Sequence, residues 1–305
     1  MKKYFFKLFY TVLIAGFFGM SFAADAKEVI APINNGKLTP AYVEQVGAEA
    51  YFWAWPMINI MNRYVNFKPL DKPVLLNGVA PVGPINHLSM LTDYIKPEER
   101  DVACPNQDVV YGSSILDLSK EPVIIQVPDF KGRFWVYQVV NQRTDSFAQL
   151  GKMYDTKPGL YMFAGPNWDG KTPKGITKVF QSDTNIGYVI PRVFMKDTAQ
   201  DKKDIVAVVN QIDIYPLSEY TGRAKITDWT KLPVLKTSAK TGAGEKQWVV
   251  PEKAVEEVAG VLNGVPALAG EEAMYANYMN VIRAVKEDPK LKDAFVRGQN
   301  VHRTA

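Results

Sequence analysis

Two uninterrupted apolar runs near the middle of the chain predict buried β-strands. Residues 122–127 are mostly β-branched, and residues 133–140 combine aromatic residues with valine. Pro128 and Gly132 lie between the runs and favour a turn, so the two runs are predicted to form a β-hairpin. Neither run alternates between apolar and polar positions, as a strand with one solvated face does. We therefore expect this hairpin inside a sheet that is covered on both faces.

Further strand patterns follow at near-regular intervals. Residues 160–164, 176–180 and 187–194 are rich in aromatic and β-branched residues and are separated by Gly, Pro and Asn. This spacing is typical of an antiparallel sheet. Residues 201–212 then carry apolar residues at helical spacing, which predicts a helix packed on that sheet.

Helical patterns flank this β-rich region. Thr39 and Pro40 form a typical helix start, and apolar residues then recur at helical spacing as far as Met61. Pro56 is expected to kink this helix. Amphipathic segments begin near residues 251, 270 and 289. The predicted fold class is α+β, with an N-terminal helix, a central, mainly antiparallel β-sheet or barrel-like core, and a helical C-terminal third.

The first residues have the pattern of a secretory signal peptide. A basic start, residues 1–7, precedes an apolar segment, residues 8–20, that is short for a membrane span. Small residues at Ser21 and Ala23 predict cleavage after Ala23, with residues 24–26 as a second site. The expected location is periplasmic or secreted, without stable membrane insertion after cleavage; the alternative is a retained anchor.

Composition along the chain predicts five segments. They are a signal peptide at 1–23, a polar arm at 24–38, an α+β core at 39–235, a flexible connector at 236–247 and a C-terminal helical segment at 248–305. The connector is rich in Lys, Thr, Ser and Gly, as flexible linkers are.

Charge and motif content exclude several function classes. Removing the signal peptide leaves 33 Lys and Arg against 32 Asp and Glu, a net charge of +1, so nucleic-acid binding is not expected. The chain has no phosphate-binding glycine loop, no nucleophile elbow and no zinc-ligand spacing. We therefore predict no cofactor and no metal; Asp101, Asp108 and Asp145 would be the carboxylates nearest to a Ca²⁺ or Mg²⁺ site. Cys104, the single cysteine, is expected to be buried and cannot form an internal disulfide.

Polar side chains cluster at the two ends of the predicted hairpin, where a fold presents binding groups on a rigid base. Arg143 is suited to clamp a carboxylate or phosphate. The alternative is a buried network in which Arg143 pairs with Asp108 or Asp145 and fixes the loops. The predicted ligand-binding residues are Asn106, Asp108, Tyr111, Arg143, Thr144 and Asp145, with the aromatic residues Trp135, Tyr137 and Trp55 as the roof.

A second hypothesis, hydrolysis, depends on the few nucleophiles and bases near this cluster. Ser113 or Ser114, His87, and Asp108 or Asp145 are the residue types of a catalytic triad, which would make the protein an esterase-type hydrolase. The alternative is that His87 only bonds to neighbouring backbone in a Pro- and Gly-rich loop. No strained elbow surrounds either serine.

Several separated motifs follow one another in a specific order. They are Pro105-Asn106-x-Asp108-x-x-Tyr111, Leu116-Asp117-Leu118, Glu121-Pro122, Gly132-Arg133-Phe134 and Arg143-Thr144-Asp145-x-Phe147. Together they resemble one bacterial family, the domain of unknown function 1254. Proteins of this family usually continue into a jelly-roll-like domain of unknown function 1214. The resemblance thus implies either a natural short form or one half of a larger protein, and it implies no settled activity.

Two functions remain open from the sequence. The first is an exported protein that binds or hydrolyses a small molecule at the polar cluster. The second is a noncatalytic envelope protein that acts through oligomeric assembly, with the C-terminal helices as its interface. A homo-oligomer and a separate second domain or chain are the expected protein partners.

Overall fold

Two β-sheets packed face to face form the centre of the molecule, and a helical cluster lies against one of them. The computed structural model describes residues 32–96, 104–236 and 248–300. The helices are α1 (Pro40–Phe67), α2 (Ala199–Val209), α3 (Ala254–Gly264), α4 (Glu272–Glu287) and α5 (Pro289–Asn300). The strands are β1 (Ile33–Asn34), β2 (Lys37–Leu38), β3 (Val74–Leu76), β4 (Ala80–Val82), β5 (Ser89–Met90), β6 (Val109–Asp117), β7 (Val123–Val127), β8 (Trp135–Asn141), β9 (Leu150–Gly151), β10 (Gly159–Ala164), β11 (Ile176–Gln181), β12 (Ile186–Phe194), β13 (Asp213–Pro216) and β14 (Val234–Leu235).

The main core lies between a four-stranded and a five-stranded sheet. The first has the order β11-β10-β7-β13, and the second has the order β5-β6-β12-β8-β9. Ile125 of β7, Tyr137 of β8 and Val189 of β12 are almost fully buried in this core. Ile205 and Val209 of α2 join it, which confirms the predicted helix packed on a sheet. The burial of this apolar surface is the main driving force for the sandwich.

The predicted hairpin is wrong, because its two strands belong to different sheets. β7 pairs with β10 and β13, whereas β8 pairs with β12 and β9. Strands this apolar need covering on both sides, and each gains it by lying inside its own sheet while facing the other. The connection crosses the core: Phe130 stacks on Trp135, with ring centroids 4.5 Å apart.

The strands predicted at 160–194 are present, but they do not form one antiparallel sheet. β10 and β11 pair in parallel, and β12 lies in the other sheet between β6 and β8. Most other pairs are antiparallel, so the mainly antiparallel character is confirmed. In the described part of the chain the sheets remain open and do not close into a barrel.

The helical cluster packs on the outer face of the five-stranded sheet. Thr39 caps α1 by accepting a hydrogen bond from the Tyr42 N–H at 3.2 Å, and the helix continues through Pro56 to Phe67. α1 packs closely on α5, where a Cβ added to Gly47 would overlap the backbone oxygen of Phe295. The α+β class, with its N-terminal helix and helical C-terminal region, is confirmed.

Some of the predicted segments lie wholly or partly outside the described residues. Residues 1–31, which include the predicted signal peptide, and residues 237–247 of the predicted connector lie outside them. Within the predicted polar arm, β1 and β2 form a small hairpin whose turn is Asn35-Gly36, both with positive φ. Among the helices of residues 32–96, 104–236 and 248–300, none combines the length and apolar character needed to cross a membrane.

Candidate functional site

A cleft of about 1180 Å³ lies between the five-stranded sheet and part of the helical cluster. Its floor is the outer face of β6, β8 and β12, and α1 forms one wall. Residues 248–257 and the small β3–β4 region form the other walls. This volume is slightly above the range of about 300–1,000 Å³ that is typical of clefts that bind small molecules.

Strand alternation decides which side chains reach the floor. In β12, Val189 and Val193 point into the core, whereas Tyr188, Ile190 and Arg192 line the cleft. The register brings side chains of the two neighbouring strands beside them. Arg192 is directly opposite Tyr111 of β6, and Ile190 is opposite Gln138 of β8.

Arg192 is held in place by two neutral groups. Its Nη2 donates to Gln138 Oε1 at 2.7 Å, and its guanidinium carbon lies 5.5 Å from the centroid of the Tyr111 ring. Within residues 32–96, 104–236 and 248–300, no carboxylate forms an ion pair with Arg192. Its positive charge is therefore fixed in direction but is not balanced by a neighbouring acid of this part of the chain.

The opposite wall carries a second polar group, centred on α1. Asn62 Nδ2 donates to Glu257 Oε1 at 2.8 Å and to the Trp248 carbonyl at 2.7 Å. Arg63 lies over the Trp248 ring, 4.6 Å from its centroid, and bonds to Asn59 Oδ1. Burial raises the pKa of Glu257, although the Asn62 hydrogen bond opposes this, and Glu257 Oε2 is buried without a hydrogen-bond partner.

One end of the cleft is apolar. Tyr188 belongs to a cluster that packs under the helix end and the β3–β4 strands. The members that also line the cleft are Phe67, Leu70, Leu76, Val82, Tyr188 and Trp248. The floor of the cleft therefore changes along β12 from Arg192 at one end to Tyr188 at the other, whereas in the wall the Trp248 ring of this cluster also lies against Arg63.

Of the first group of predicted ligand-binding residues, Asn106, Asp108 and Tyr111, only Tyr111 lines the cleft. Asn106 and Asp108 are exposed and form a turn in which Asn106 Oδ1 accepts from the Asp108 N–H at 2.7 Å. Tyr111 lines the cleft, and its hydroxyl accepts a hydrogen bond from the Asn106 N–H at 2.7 Å. Asn106 thus acts on the cleft through Tyr111. Cys104 also lines the cleft and is exposed, which corrects the expectation that it is buried.

The second group of predicted ligand-binding residues, Arg143, Thr144 and Asp145, lies at the end of β8. Arg143 pairs with Glu271 at 2.8 Å and also donates to the Pro266 carbonyl and the Tyr275 hydroxyl. The predicted partners Asp108 and Asp145 are exposed and do not pair with it. Asp145 follows the end of β8, where its backbone N–H donates to Asn141.

The Arg143 network joins the end of β8 to the start of α4. Burial would raise the pKa of Glu271, but hydrogen bonds from the Leu268 N–H and Arg143 outweigh it and leave that pKa lowered. Thr144, the next residue, lines the cleft at an exposed position with φ of 70°. Of the segment 142–145, therefore, Thr144 is the residue that reaches the cleft.

The structure places the predicted aromatic roof on two different faces. Trp55 of α1 lines the cleft. Trp135 and Tyr137 are 4% and 1% exposed and lie in the core between the sheets. Because successive residues of a strand point to opposite faces, Gln138 and Val140 of β8 face the cleft in their place.

The triad residues are not hydrogen-bonded to one another. His87 Nε2 bonds to Glu219 at 2.8 Å and its Nδ1 lies 3.0 Å from the Ile85 carbonyl. Ser113 Oγ accepts from the Tyr188 hydroxyl at 3.4 Å. Ser114 Oγ is buried without a hydrogen-bond partner.

The described residues contain no group of three or more His, Cys, Asp or Glu side chains placed to hold a metal ion. Asp101, one of the three carboxylates considered from the sequence, lies outside those residues.

Arg192, Gln138 and Asn62 are cleft residues that the sequence interpretation missed. A signal for Arg192 and Gln138 was present, because once β8 and β12 are assigned, period-two alternation places both on the faces opposite the core. Asn62 gave no such signal, since it depends on the contact between α1 and α3.

Comparison with curated proteins gives no match. Among solved structures, the chain is similar to the crystal structure of the VPA0106 protein from Vibrio parahaemolyticus, at 18% identity and a TM-score of 0.45, over 85% of this chain and 67% of that one. Residues 85–216 match the model of the family described as Protein of unknown function (DUF1254), which confirms over this part of the chain the resemblance found in its sequence motifs.

Proposed function

We propose that this protein is an exported binding protein that holds a small molecule in the cleft between the five-stranded sheet and the helical cluster. The observation that carries the proposal is the setting of Arg192. Its guanidinium is oriented by Gln138 and Tyr111, yet no acid of the described residues neutralises it. A charged group held ready in a cleft of ligand size is the usual arrangement of a binding site.

Binding is favoured over hydrolysis. A serine nucleophile needs a base within hydrogen-bond reach, and His87 bonds instead to Glu219 and the Ile85 carbonyl. Ser113 lines the cleft, but its hydroxyl is paired with that of Tyr188. These contacts support a ligand-contacting role for Ser113 rather than a nucleophilic one.

Binding is also favoured over assembly through the C-terminal helices. The apolar faces of α3, α4 and α5 pack with α1 into a single core, which includes Val258, Ile282 and Phe295. The amphipathic pattern that predicted an interface is thus used inside the chain. Oligomeric state and a second domain remain predictions.

The export part of the proposal rests on residues 1–23 and is tested by mass spectrometry. We expect the protein recovered from the periplasm or medium to begin at Ala24. An intact N-terminus on the cell-associated protein would refute cleavage.

The binding proposal is tested by thermal unfolding of the exported protein with a panel of small carboxylates, esters, amides, sugars and divalent cations. A ligand that binds the native state raises the midpoint by mass action. Ile190 lies on the cleft floor, so Ile190→Trp should fill the cleft and abolish the shift. Thr172→Trp, on an exposed loop, is the matched control and should keep it. Equal shifts in all three proteins would contradict binding in the cleft.

A further inference from the structure

We propose that the ligand of the cleft is an amphipathic organic anion, whose head group pairs with Arg192 and whose apolar body extends along β12 toward Tyr188. This inference rests on the proposed binding function. It adds the chemical class of the ligand and its orientation in the cleft.

The polarity of the floor gives the orientation. Arg192, Ile190 and Tyr188 follow one another on the same face of β12, so the floor changes from cationic to apolar along the strand. Four residues of an extended strand span about 13 Å. An extended alkyl chain gains about 1.3 Å per carbon, so that length fits a head group with an apolar body of about eight to ten carbon atoms. Such a ligand would bury its tail on the apolar cluster.

The charges of the walls select an anion. The described residues that line the cleft include the cations Arg63, Arg192 and Lys253 and a single acid, Glu257. Burial raises the pKa of Glu257 above its ordinary value. Apolar walls of low dielectric strengthen the attraction of such a lining for an anion.

The geometry of Arg192 supplies the head-group contact. Gln138 Oε1 takes one hydrogen of Nη2, and Tyr111 covers the guanidinium from the β6 side. A guanidinium has five N–H donors, so donors remain for a carboxylate or phosphate oxygen. Because Gln138 and Tyr111 already fix the side chain, little rotamer entropy is lost when the anion binds.

The experiment is calorimetric titration of the exported protein with octanoate, heptyl phosphate and octanamide. All three compounds carry the same seven-carbon alkyl tail, so the comparison isolates the head group. We expect both anions to bind, and at least about tenfold more tightly than octanamide, as charge-assisted hydrogen bonds imply. The tighter of the two anions identifies the head group as carboxylate or phosphate.

Two variants and a control locate the contact. Arg192→Met should weaken anion binding at least about tenfold and leave octanamide unchanged. Gln138→Leu keeps the charge of Arg192 and removes the hydrogen bond that positions it, so we expect the affinity for the anions to fall about 2- to 10-fold. If Arg192→Met does not fold, this variant tests the contact in its place. Arg297→Met removes an arginine from an exposed ion pair with Glu44 and should change nothing.

The outcomes separate this inference from the function on which it rests. If octanamide binds as well as the anions, or if neither Arg192→Met nor Gln138→Leu affects them, the anion assignment is refuted while a binding cleft stands. If no compound here or in the wider panel binds, the proposed function fails as well.

Discussion

Arg192 and Tyr111 are direct partners across the β6–β12 pair, with the guanidinium carbon 5.5 Å from the centre of the ring. The same tyrosine accepts a hydrogen bond from the Asn106 N–H at 2.7 Å. One side chain therefore links the cation of the cleft to the turn at 104–108. The turn residues named from the sequence influence the cleft through this link, although Asn106 and Asp108 themselves are exposed.

Variants of Tyr111 should separate its ring contact with Arg192 from its hydrogen bond with the Asn106 N–H. Tyr111→Phe keeps the ring over Arg192 and removes the acceptor, so we expect a loss of about 1 kcal/mol in the free energy of unfolding and faster amide exchange at Asn106. Tyr111→Leu should also weaken anion binding, because the ring that orients Arg192 is gone. Hydrogen exchange read by NMR checks the first variant. Unchanged exchange at Asn106 would contradict the link.

The Arg143–Glu271 pair should contribute to stability rather than to binding. The side chains are 8% and 23% exposed, so Arg143→Ala removes the cation beside a partly exposed carboxylate and leaves that carboxylate its hydrogen bond from the Leu268 N–H. We expect the free energy of unfolding to fall by about 2–3 kcal/mol in urea at pH 7.

The exposed pair of Arg297 with Glu44 is the matched control for Arg143. Its side chains are 57% and 38% exposed, so Arg297→Ala should cost under about 1 kcal/mol. If Arg143→Ala retains stability but loses ligand affinity, Arg143 is a binding residue as first interpreted from the sequence.

Asp201 should make stability depend on pH in the acid range. A hydrogen bond from Arg133 lowers the pKa of Asp201 from 3.8 to about 2. Since the folded pKa is lowered, the stabilisation is present above pH 3.8 and is lost as the pH falls through about 2. Asp201→Asn should therefore cost about 1–2 kcal/mol at pH 7 and little at pH 2.

Denaturant unfolding at several pH values checks the role of Asp201, with the exposed Asp169→Asn as control. A cost that stays constant down to pH 2 would show that the charge of Asp201 is not its cause.

The contact between α1 and α5 should not accept a methyl group. A Cβ at Gly47 would overlap the Phe295 backbone oxygen, and backbone cannot rotate away as a side chain can. We expect Gly47→Ala to destabilise by about 1–3 kcal/mol. Gly264→Ala, at the end of α3 with open space around its Cβ position, should be neutral or slightly stabilising. Equal stabilities of the two variants would contradict the close helix packing.

Local patterns predicted the elements of this protein better than their partners. The N-terminal helix, its Thr39 cap and the strand at 187–194 follow from spacing and turn chemistry, and the structure contains them. Strand pairing failed for β7 and β8, because a turn-like connection between two apolar strands fits a crossing between sheets as well as a hairpin. Which of the two forms depends on distant strands such as β12 and β13.

The candidate site shows the same limit. Tyr111 and Thr144 could be named from the sequence because they lie in polar segments at strand ends. Arg143 could be named too, but its partner Glu271 is 128 residues away and no local pattern indicates it. Alternation along β12 places Arg192 on the face opposite the core, but that this face is the floor of a cleft depends on the pairing of β12 and on the position of α1.

The most direct test of the binding cleft uses its single cysteine. Cys104 is exposed and lines the cleft, so a ligand in the cleft should slow its alkylation by iodoacetamide. We expect octanoate to protect Cys104 with the same half-saturating concentration that raises the unfolding midpoint. In a Cys104→Ser protein, Lys171→Cys on the exposed loop at 165–175 should react at an unchanged rate. A compound that stabilises the protein but leaves Cys104 alkylation unchanged would place its binding outside the cleft and contradict this account.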